Sequence, residues 1–242
     1  MPKNKLFVLI MLIMMSAGLI YGCGSGGSGT ASITDKQSGD IYTNPSQTPS
    51  AEEYLKGQED FNLGNFSNSL AEFQKAYEKA ASTDDRYKAL TGMAWAMLKN
   101  GADAGSTDTT SIILTLEKIP AAVLYDYKIQ NINDARVALA LSYVSRSKNA
   151  QDFQNAVALL ERIDPILVST NNYQANKFFT YVPTLSHGLT NGEVHGMAAY
   201  LYFLQGNNTL ALDHINYAVT VDPQNAKVNQ IKSNLVILGL FR

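Results

Sequence analysis

The chain is poor in cysteine, histidine and charge. Its 242 residues include one cysteine, Cys23, and three histidines, and only 17% of them are charged, with a formal net charge of −2. One cysteine excludes a disulfide scaffold, a cysteine-ligated zinc site and an iron–sulfur cluster, and three histidines leave little room for a histidine-rich metal site. The nearly neutral charge argues against a nucleic-acid-binding protein, which carries a basic surface. We therefore expect no metal, no cofactor and no nucleic-acid partner.

Hydrophobic residues make up 45% of the chain, and their first cluster lies at the N-terminus. Lys3 and Lys5 precede an apolar run of 15 residues from Leu6 to Ile20. This run is short for a membrane span, which needs about 20 residues, but it has the length of the hydrophobic region of a secretory signal peptide. We therefore predict a signal peptide over residues 1–22.

The four residues Ile20-Tyr21-Gly22-Cys23 end this region. They resemble the lipobox of bacterial lipoproteins, which has an aliphatic residue, a variable residue, Gly or Ala, and Cys; Tyr21 departs from it, because a smaller residue is usual there. The resemblance implies cleavage before Cys23, transfer of a diacylglycerol to its thiol and acylation of its new amine with a fatty acid such as palmitate. An ordinary secretory signal with an unmodified Cys23 is the alternative. Because Gly24 is not the Asp that retains enteric lipoproteins in the inner membrane, the resemblance implies the outer membrane, facing the periplasm.

Small and polar residues dominate the stretch that follows Cys23. From Gly24 to Ser50, 17 of 27 residues are Gly, Ser, Thr or Pro, and such a segment cannot bury enough apolar surface to offset the entropy lost on ordering. We predict that residues 23–50 form a flexible, lipid-anchored linker. Residues 24–29 also match the dinucleotide-binding pattern G-x-G-x-x-G, but that site needs a preceding strand and a following helix. Here a signal peptide precedes the pattern and the linker follows it.

Beyond residue 50 the apolar residues recur at helical spacings of three and four positions. The clearest segment, from Val194 to Pro223, indicates a helix, a tight turn with glycine, a second helix and a proline stop. It resembles a tetratricopeptide repeat. In that repeat small residues let the two helices approach, an aromatic residue fills the space between them, and a glycine takes the positive φ that ends the first helix. The positions that carry the resemblance are Ala199, Tyr202, Gly206, Ala211, Ile215, Ala218 and Pro223.

A second segment, from Ala51 to Ala80, shares this register. Looser helix pairs follow it, and the apolar stripe from Ala226 to Leu238 is typical of a terminal capping helix. The fold predicted for residues 51–242 is all-α: an α/α superhelical solenoid of about four tetratricopeptide-like helix pairs. An irregular all-α domain is the alternative. The matching positions of the second segment are Gly64, Phe73 and Ala76.

Two stretches depart from the repeat, residues 120–130 and 166–189, since both are longer and more aromatic than a repeat turn. One interpretation is an extra helix whose rings lie in the core. The other is an exposed ledge that binds a partner, because aromatic residues carry much of the binding energy at interfaces. Phe178 and Phe179 diverge by about 100° on a helix, so we expect at least one of them to be accessible. The residues assigned to the ledge are Tyr173, Phe178, Phe179 and Tyr181.

Ser186, His187 and His195 are the residues that could suggest nucleophilic catalysis. Such chemistry needs a base, an orienting group and oxyanion donors that converge in space. No local motif supplies them, and the patterns G-x-S-x-G and H-E-x-x-H are both absent from the sequence. We interpret His195 and His214 as surface or structural histidines, and we predict no enzyme and no small-molecule substrate.

The two resemblances together imply protein–protein interaction in envelope assembly, such as insertion of outer-membrane proteins, or pilus or secretion machinery. The leading hypothesis is a lipid-anchored adaptor that binds envelope proteins in a helical-repeat groove. A cell-wall enzyme, or an activator of a peptidoglycan enzyme, is the alternative, and it would require a catalytic carboxylate in a groove. The sequence leaves the identity of the partner open.

Overall fold

The computed structural model describes residues 49–146 and 149–240. The predicted signal peptide, Cys23 and nearly all of the predicted linker lie outside the described residues. In the described part the chain forms ten helices and one short antiparallel hairpin, which confirms the all-α class. None of these helices is both long and apolar enough to cross a membrane. The elements are α1 (Pro49–Asn62), α2 (Phe66–Lys79), α3 (Thr83–Asp103), α4 (Thr109–Leu116), α5 (Ala121–Leu124), α6 (Asn133–Arg146), α7 (Ala150–Leu160), β1 (Ile166–Ser169), β2 (Asn172–Gln174), α8 (Asn191–Leu204), α9 (Asn208–Val221) and α10 (Ala226–Leu238).

Local signals in the sequence explain where several helices begin. At α8, Thr190 and Glu193 form a capping box: the Thr190 hydroxyl accepts from the Glu193 N–H at 3.2 Å, and the Glu193 carboxylate accepts from the Thr190 N–H at 3.0 Å. Ser82, Asp108 and Asn225 accept hydrogen bonds from first-turn amides of α3, α4 and α10. Each bond satisfies a backbone donor that a helix start leaves without an intrahelical partner.

Two helix pairs, α1–α2 and α8–α9, share the same turn. Gly64 and Gly206 both have a φ of +79°. In each turn the glycine N–H donates to the carbonyl three residues back, at 3.1 and 3.0 Å, and the following Asn65 or Asn207 donates to the carbonyl five residues back, at 2.8 and 2.9 Å. Glycine adopts this φ readily because it has no Cβ. The prediction that Gly206 ends the first helix of its pair is confirmed, and Gly64 does the same in the other pair.

Phe73 in α2 fills a space that two glycines leave open. Its side chain is fully buried, and a Cβ added at Gly57 in α1 or at Gly92 in α3 would lie 2.7 Å from its ring. The buried Ser69 belongs to the same contact, since its hydroxyl donates to the Gly57 carbonyl at 2.8 Å. Close packing of the first three helices therefore depends on small residues on both sides of one ring.

Most helices pack against their neighbours in the chain, whereas α4 packs mainly on α6 and α10 mainly on α8. Contacts between successive helices join α1 to α2, α2 to α3, α3 to α4, α6 to α7, α7 to α8, α8 to α9 and α9 to α10. Further contacts join α1 to α3, α3 to α6, α4 to α6 and α8 to α10. A single hydrophobic core runs along these contacts. Of the repeat-defining positions, Phe73, Ala76, Ala199, Tyr202, Ala211, Ile215 and Ala218 are buried, and Pro223 is exposed just after the end of α9.

The stretch 166–189 forms no extra helix, so that part of the first interpretation is wrong, but Phe179 and Tyr181 lie in the core as it expected. It begins with the β1–β2 hairpin, in which Leu167 lies opposite Tyr173 and Asn171 makes the turn with a φ of +60°, a conformation that Asn tolerates. Sequence reasoning found no strand here because every residue of β1 is exposed, and the run lacks the alternation of a half-buried strand. Residues 176–189, which we call the aromatic segment, form neither helix nor strand.

The other aromatic stretch, residues 120–130, contains only the one-turn helix α5. Arg136 of α6 holds it in place: its fully buried guanidinium donates to the carbonyls of Leu124 at 2.8 Å and Asp126 at 2.6 Å. Burial lowers the pKa of Arg136 to about 10, so the side chain is still charged at neutral pH. An unpaired buried cation is costly, and these carbonyls offset that cost.

Candidate functional site

The four residues predicted to form an aromatic ledge are divided between the surface and the core. Phe178 is 44% exposed and Phe179 only 1%, which confirms that the adjacent rings are not both buried. Tyr173 is half-buried, whereas Tyr181 is buried. The ledge prediction is therefore wrong for Phe179 and Tyr181, and the contacts that bury them explain why.

Tyr181 is held inside by Asp134 of α6. Its hydroxyl donates to Asp134 Oδ1 at 2.7 Å, and Asp134 Oδ2 accepts from the backbone N–H groups of Thr184 and Leu185 at 2.9 and 3.1 Å. Burial alone would raise the pKa of the Asp134 carboxyl, but the neighbouring His187 and the hydrogen bonds from Thr184 and Tyr181 outweigh burial and lower the pKa. A buried carboxylate therefore fixes the aromatic segment on α6.

His187 extends this network toward α3. Its Nδ1 accepts from the Leu189 N–H at 3.1 Å, so the proton of the neutral ring lies on Nε2, which donates to the Tyr181 hydroxyl oxygen at 2.8 Å. Its ring stacks on Trp95 of α3, with centroids 3.7 Å apart and planes 14° apart. His187 and Asp134 thus serve as structural groups that connect α3, α6 and the aromatic segment.

A second aromatic cluster joins the aromatic segment to α8 and α9. Phe179 stacks on His195 of α8, with centroids 3.9 Å apart. His214 of α9 lies 5.1 Å from His195 and stacks at 5.3 Å on Tyr202 of α8, measured between ring centroids. All four rings are buried, so both histidines are structural rather than surface residues.

The hydrogen bonds of this cluster fix the tautomers of both histidines. His195 Nε2 lies 2.8 Å from the Phe179 carbonyl, and because a carbonyl only accepts, Nε2 carries the proton of the neutral ring. His195 Nδ1 is then an acceptor, and His214 Nδ1, 2.8 Å away, must donate to it. His214 Nε2 is left as a bare acceptor, and the described residues provide it with no hydrogen-bond partner.

Both rings are neutral at neutral pH. Burial lowers the pKa of His195 to about 4. Burial and the neighbouring His195 lower the pKa of His214 to about 3. The tautomers assigned above therefore apply under physiological conditions.

His214 and Tyr202 border a partly open cavity of about 350 Å³ that is lined by α7, α8, α9 and the chain from β1 to the aromatic segment. We call it the α7–α9 cavity. Its volume falls in the range of small-ligand sites, about 300–1,000 Å³. Its lining consists of Val157, Leu160, Glu161, Ile166, Gln174, Ala175, Asn176, Lys177, Phe179, Ala198, Tyr202, Leu210 and His214.

Two charged side chains border the α7–α9 cavity. Glu161, at the end of α7, accepts a hydrogen bond from the Tyr202 hydroxyl at 2.8 Å, and this burial and pairing raise the pKa of Tyr202 well above its usual value. Lys177 forms an ion pair with Asp213 of α9 at 2.8 Å and is 48% exposed. The positive charge of Lys177 is therefore neutralised by Asp213. The Glu161 carboxylate contacts the Tyr202 hydroxyl through Oε1, and its Oε2 lies 3.6 Å from Arg162 Nη1.

The outer side of the same region is apolar and exposed. Ile166, Leu167 and Val168 of β1 are 43–58% exposed. Phe178 contacts Tyr217 of α9, with ring centroids 5.3 Å apart. Ile166 lines the α7–α9 cavity, and so does Lys177, the neighbour of Phe178 in the chain. The exposed apolar side chains of β1 and Phe178 therefore lie next to this cavity. We call Ile166, Leu167, Val168 and Phe178 the hairpin patch.

Sequence reasoning assigned the partner surface to four aromatic residues and missed the apolar strand beside them. The signal for this strand is the run Ile166-Leu167-Val168, which consists of apolar residues but does not alternate between apolar and polar positions. Asp134 carried no signal at all, because its partners lie about fifty positions further along the chain. Among the described residues no group of His, Cys, Asp and Glu is placed to hold a metal ion.

No family model, curated protein or solved structure matches this chain. Its function has to be inferred from its own residues.

Proposed function

We propose that the protein is a lipid-anchored adaptor of the cell envelope, without enzymatic activity, that binds envelope proteins during the assembly of larger machinery. In this proposal the lipid on Cys23 holds the chain in the outer membrane, residues 23–50 are the linker, and the helical domain faces the periplasm. The lipobox-like sequence before Cys23 supports the anchor.

The helix pairs support a tetratricopeptide-like solenoid. Gly92 and Trp95, Ala140 and Tyr143, and Ala199 and Tyr202 repeat the small–aromatic spacing on α3, α6 and α8. The last two pairs also share a contact: each tyrosine donates at 2.8 Å to the glutamate that ends the preceding major helix, Tyr143 to Glu117 and Tyr202 to Glu161. Together with the identical turns at Gly64 and Gly206, this recurrence is typical of a repeated unit.

The single observation that carries the adaptor function is the hairpin patch. Three consecutive large apolar residues, Ile166 to Val168, project from a two-stranded hairpin. Exposed apolar clusters rimmed by polar residues mark protein-binding surfaces, and isolated hairpins of two strands are marginal in water. An extended partner segment that pairs with β1 and covers these side chains would bury them and complete the sheet.

The aromatic segment supports placing the partner surface on the hairpin rather than between α3, α6 and α8. Residues 179, 181, 185, 187 and 189 are buried against these helices, so the chain itself occupies the position that a groove-bound peptide would take. In this proposal the partner therefore binds at the exposed edge of β1 and at Phe178, and not in a groove between the helices.

Copurification from a detergent-solubilised envelope tests the proposal. Leu167→Ser/Val168→Ser should lose the captured partners at an unchanged melting temperature, because both residues are exposed. Leu114→Ser is the matched control, since Leu114 is 60% exposed on α4. Equal capture by the hairpin variant and the wild type would contradict the proposal.

A further inference from the structure

We propose that the α7–α9 cavity binds a small amine, an ammonium group carried on an apolar body. The inference is independent of the protein-binding surface proposed above. It depends on the hydrogen-bonding character of the polar atoms that line the cavity and on the rings that surround them.

The polar side-chain atoms that line the cavity around Tyr202 and His214 are hydrogen-bond acceptors. His214 lines the cavity with only 3% of its surface exposed, and its Nε2 is the bare acceptor that the tautomer assignment leaves without a partner. The Tyr202 hydroxyl gives its proton to Glu161, so its oxygen presents only lone pairs. The Glu161 carboxylate adds a negative charge, and its second oxygen lies 3.6 Å from Nη1 of Arg162, a residue that does not line the cavity. A ligand that matches these three groups brings hydrogen-bond donors and a positive charge.

The walls suit the body of such a ligand. Tyr202 links the acceptors, since it bonds to Glu161 and stacks on His214. Phe179 and Tyr202 present aromatic rings, whose faces attract a cation. Val157, Leu160 and Leu210 supply aliphatic surface on the other sides.

Two cationic side chains lie near the cavity, and both are engaged: Arg162 Nη1 lies 3.6 Å from the Glu161 carboxylate and donates to the Tyr127 hydroxyl at 2.8 Å. Lys177 is the cationic residue of the lining, and its ammonium is paired with Asp213 at 2.8 Å. Both buried histidines are uncharged, as their lowered pKa values require. An anionic ligand would meet the Glu161 carboxylate, and the Arg162 guanidinium beside it already donates to the Tyr125 carbonyl and the Tyr127 hydroxyl.

Isothermal titration calorimetry of the full chain in detergent tests the inference, with phenethylamine as the probe. 2-Phenylethanol is the neutral comparison and 3-phenylpropanoate the anionic one. We expect phenethylamine to bind at least about tenfold more tightly than the alcohol, since a charge-assisted hydrogen bond is worth at least that factor, and the anion to bind most weakly. Equal affinities for the amine and the alcohol, or tighter binding of the anion, would overturn the inference.

The variant Glu161→Gln removes the charge but keeps an acceptor for the Tyr202 hydroxyl. It should weaken phenethylamine binding about tenfold or more and leave 2-phenylethanol binding unchanged. Glu117→Gln is the matched control, because Glu117 accepts from Tyr143 in the same way at 2.8 Å but lies outside the cavity. If both variants weaken amine binding equally, or if neither does, the assignment of the site is wrong.

A second measurement does not depend on any variant. Phenethylamine should shift the ¹⁵N resonance of His214 Nε2, because that nitrogen gains a hydrogen bond, and should leave the resonances of His187 in place. A titration that moves His187 and not His214 would place the amine elsewhere and overturn the inference.

Discussion

Lowering the pH from 7.5 to 5 should destabilise the folded domain through His195 and His214. Both pKa values lie far below the usual value of about 6.5, at about 4 and about 3, because the rings are buried. Between pH 6.5 and pH 4 the unfolded chain therefore binds protons that the folded chain does not. Stability rises with pH wherever the unfolded state binds more protons, so the free energy of unfolding should decrease as the pH is lowered through this window.

The pKa differences set the size of the effect. At pH 5 an unfolded histidine is almost fully protonated, whereas each of these two is almost fully neutral when folded, and the linkage relation then gives a loss of about 2 kcal/mol for each. Together the pair should cost about 4 kcal/mol relative to pH 7.5, a large share of the 5–15 kcal/mol that holds a typical domain together. The loss should grow further until the pH reaches the folded pKa values.

Urea denaturation followed by circular dichroism at pH 7.5 and pH 5 measures this loss. The double variant His195→Gln/His214→Asn keeps donors and acceptors but does not titrate in this range, so its pH dependence should be smaller by about 4 kcal/mol. Imidazole ¹⁵N spectra of the wild type at pH 5 provide a check that needs no variant, because both rings should still be neutral. A wild-type stability that is equal at the two pH values, or native rings that titrate near pH 6.5, would refute the reasoning.

Three further predictions concern the anchor, the aromatic residues and the helix contacts. Cys23→Ala should abolish incorporation of labelled palmitate, and equal labelling of variant and wild type would refute the lipid anchor. Phe179→Ala should lower stability by about 3–5 kcal/mol in a urea titration, whereas Phe178→Ala, at an exposed position, should change it by less than about 1 kcal/mol; equal effects would contradict the burial of only one ring. Ala211→Trp should destabilise the α8–α9 pair by about 1–3 kcal/mol or more, since Ala211 is fully buried, and a thermal melt unchanged within a degree or two would show that the contact is not tight.

The helices were the predictable part of the fold. The predicted capping helix Ala226–Leu238 has the same bounds in the structure, and Gly206 ends its helix as expected. These features depend on the spacing of apolar residues and on local turn chemistry, and both are determined by residues that are close in the sequence.

The hairpin and the aromatic segment were not predictable, because distant partners determine them. Tyr181 is buried by Asp134, and Phe179 by His195 and His214. No local pattern reveals that the two histidines share a hydrogen bond, and their tautomers follow only once the Phe179 carbonyl is located. The bare acceptor on His214, and with it the candidate amine site, therefore emerges from the tertiary structure alone.

Site-specific photocrosslinking in intact cells tests the central claim, that the protein is an adaptor whose partner binds the hairpin patch. A photoreactive amino acid is placed at Leu167 in one strain and at Leu114 in another, since both positions are exposed and only the first belongs to the patch. If the partner binds the hairpin patch, irradiation should join the Leu167 variant to one or a few discrete envelope proteins, and the Leu114 variant should give no such adducts. The same adducts from both positions, or none from Leu167, would contradict it.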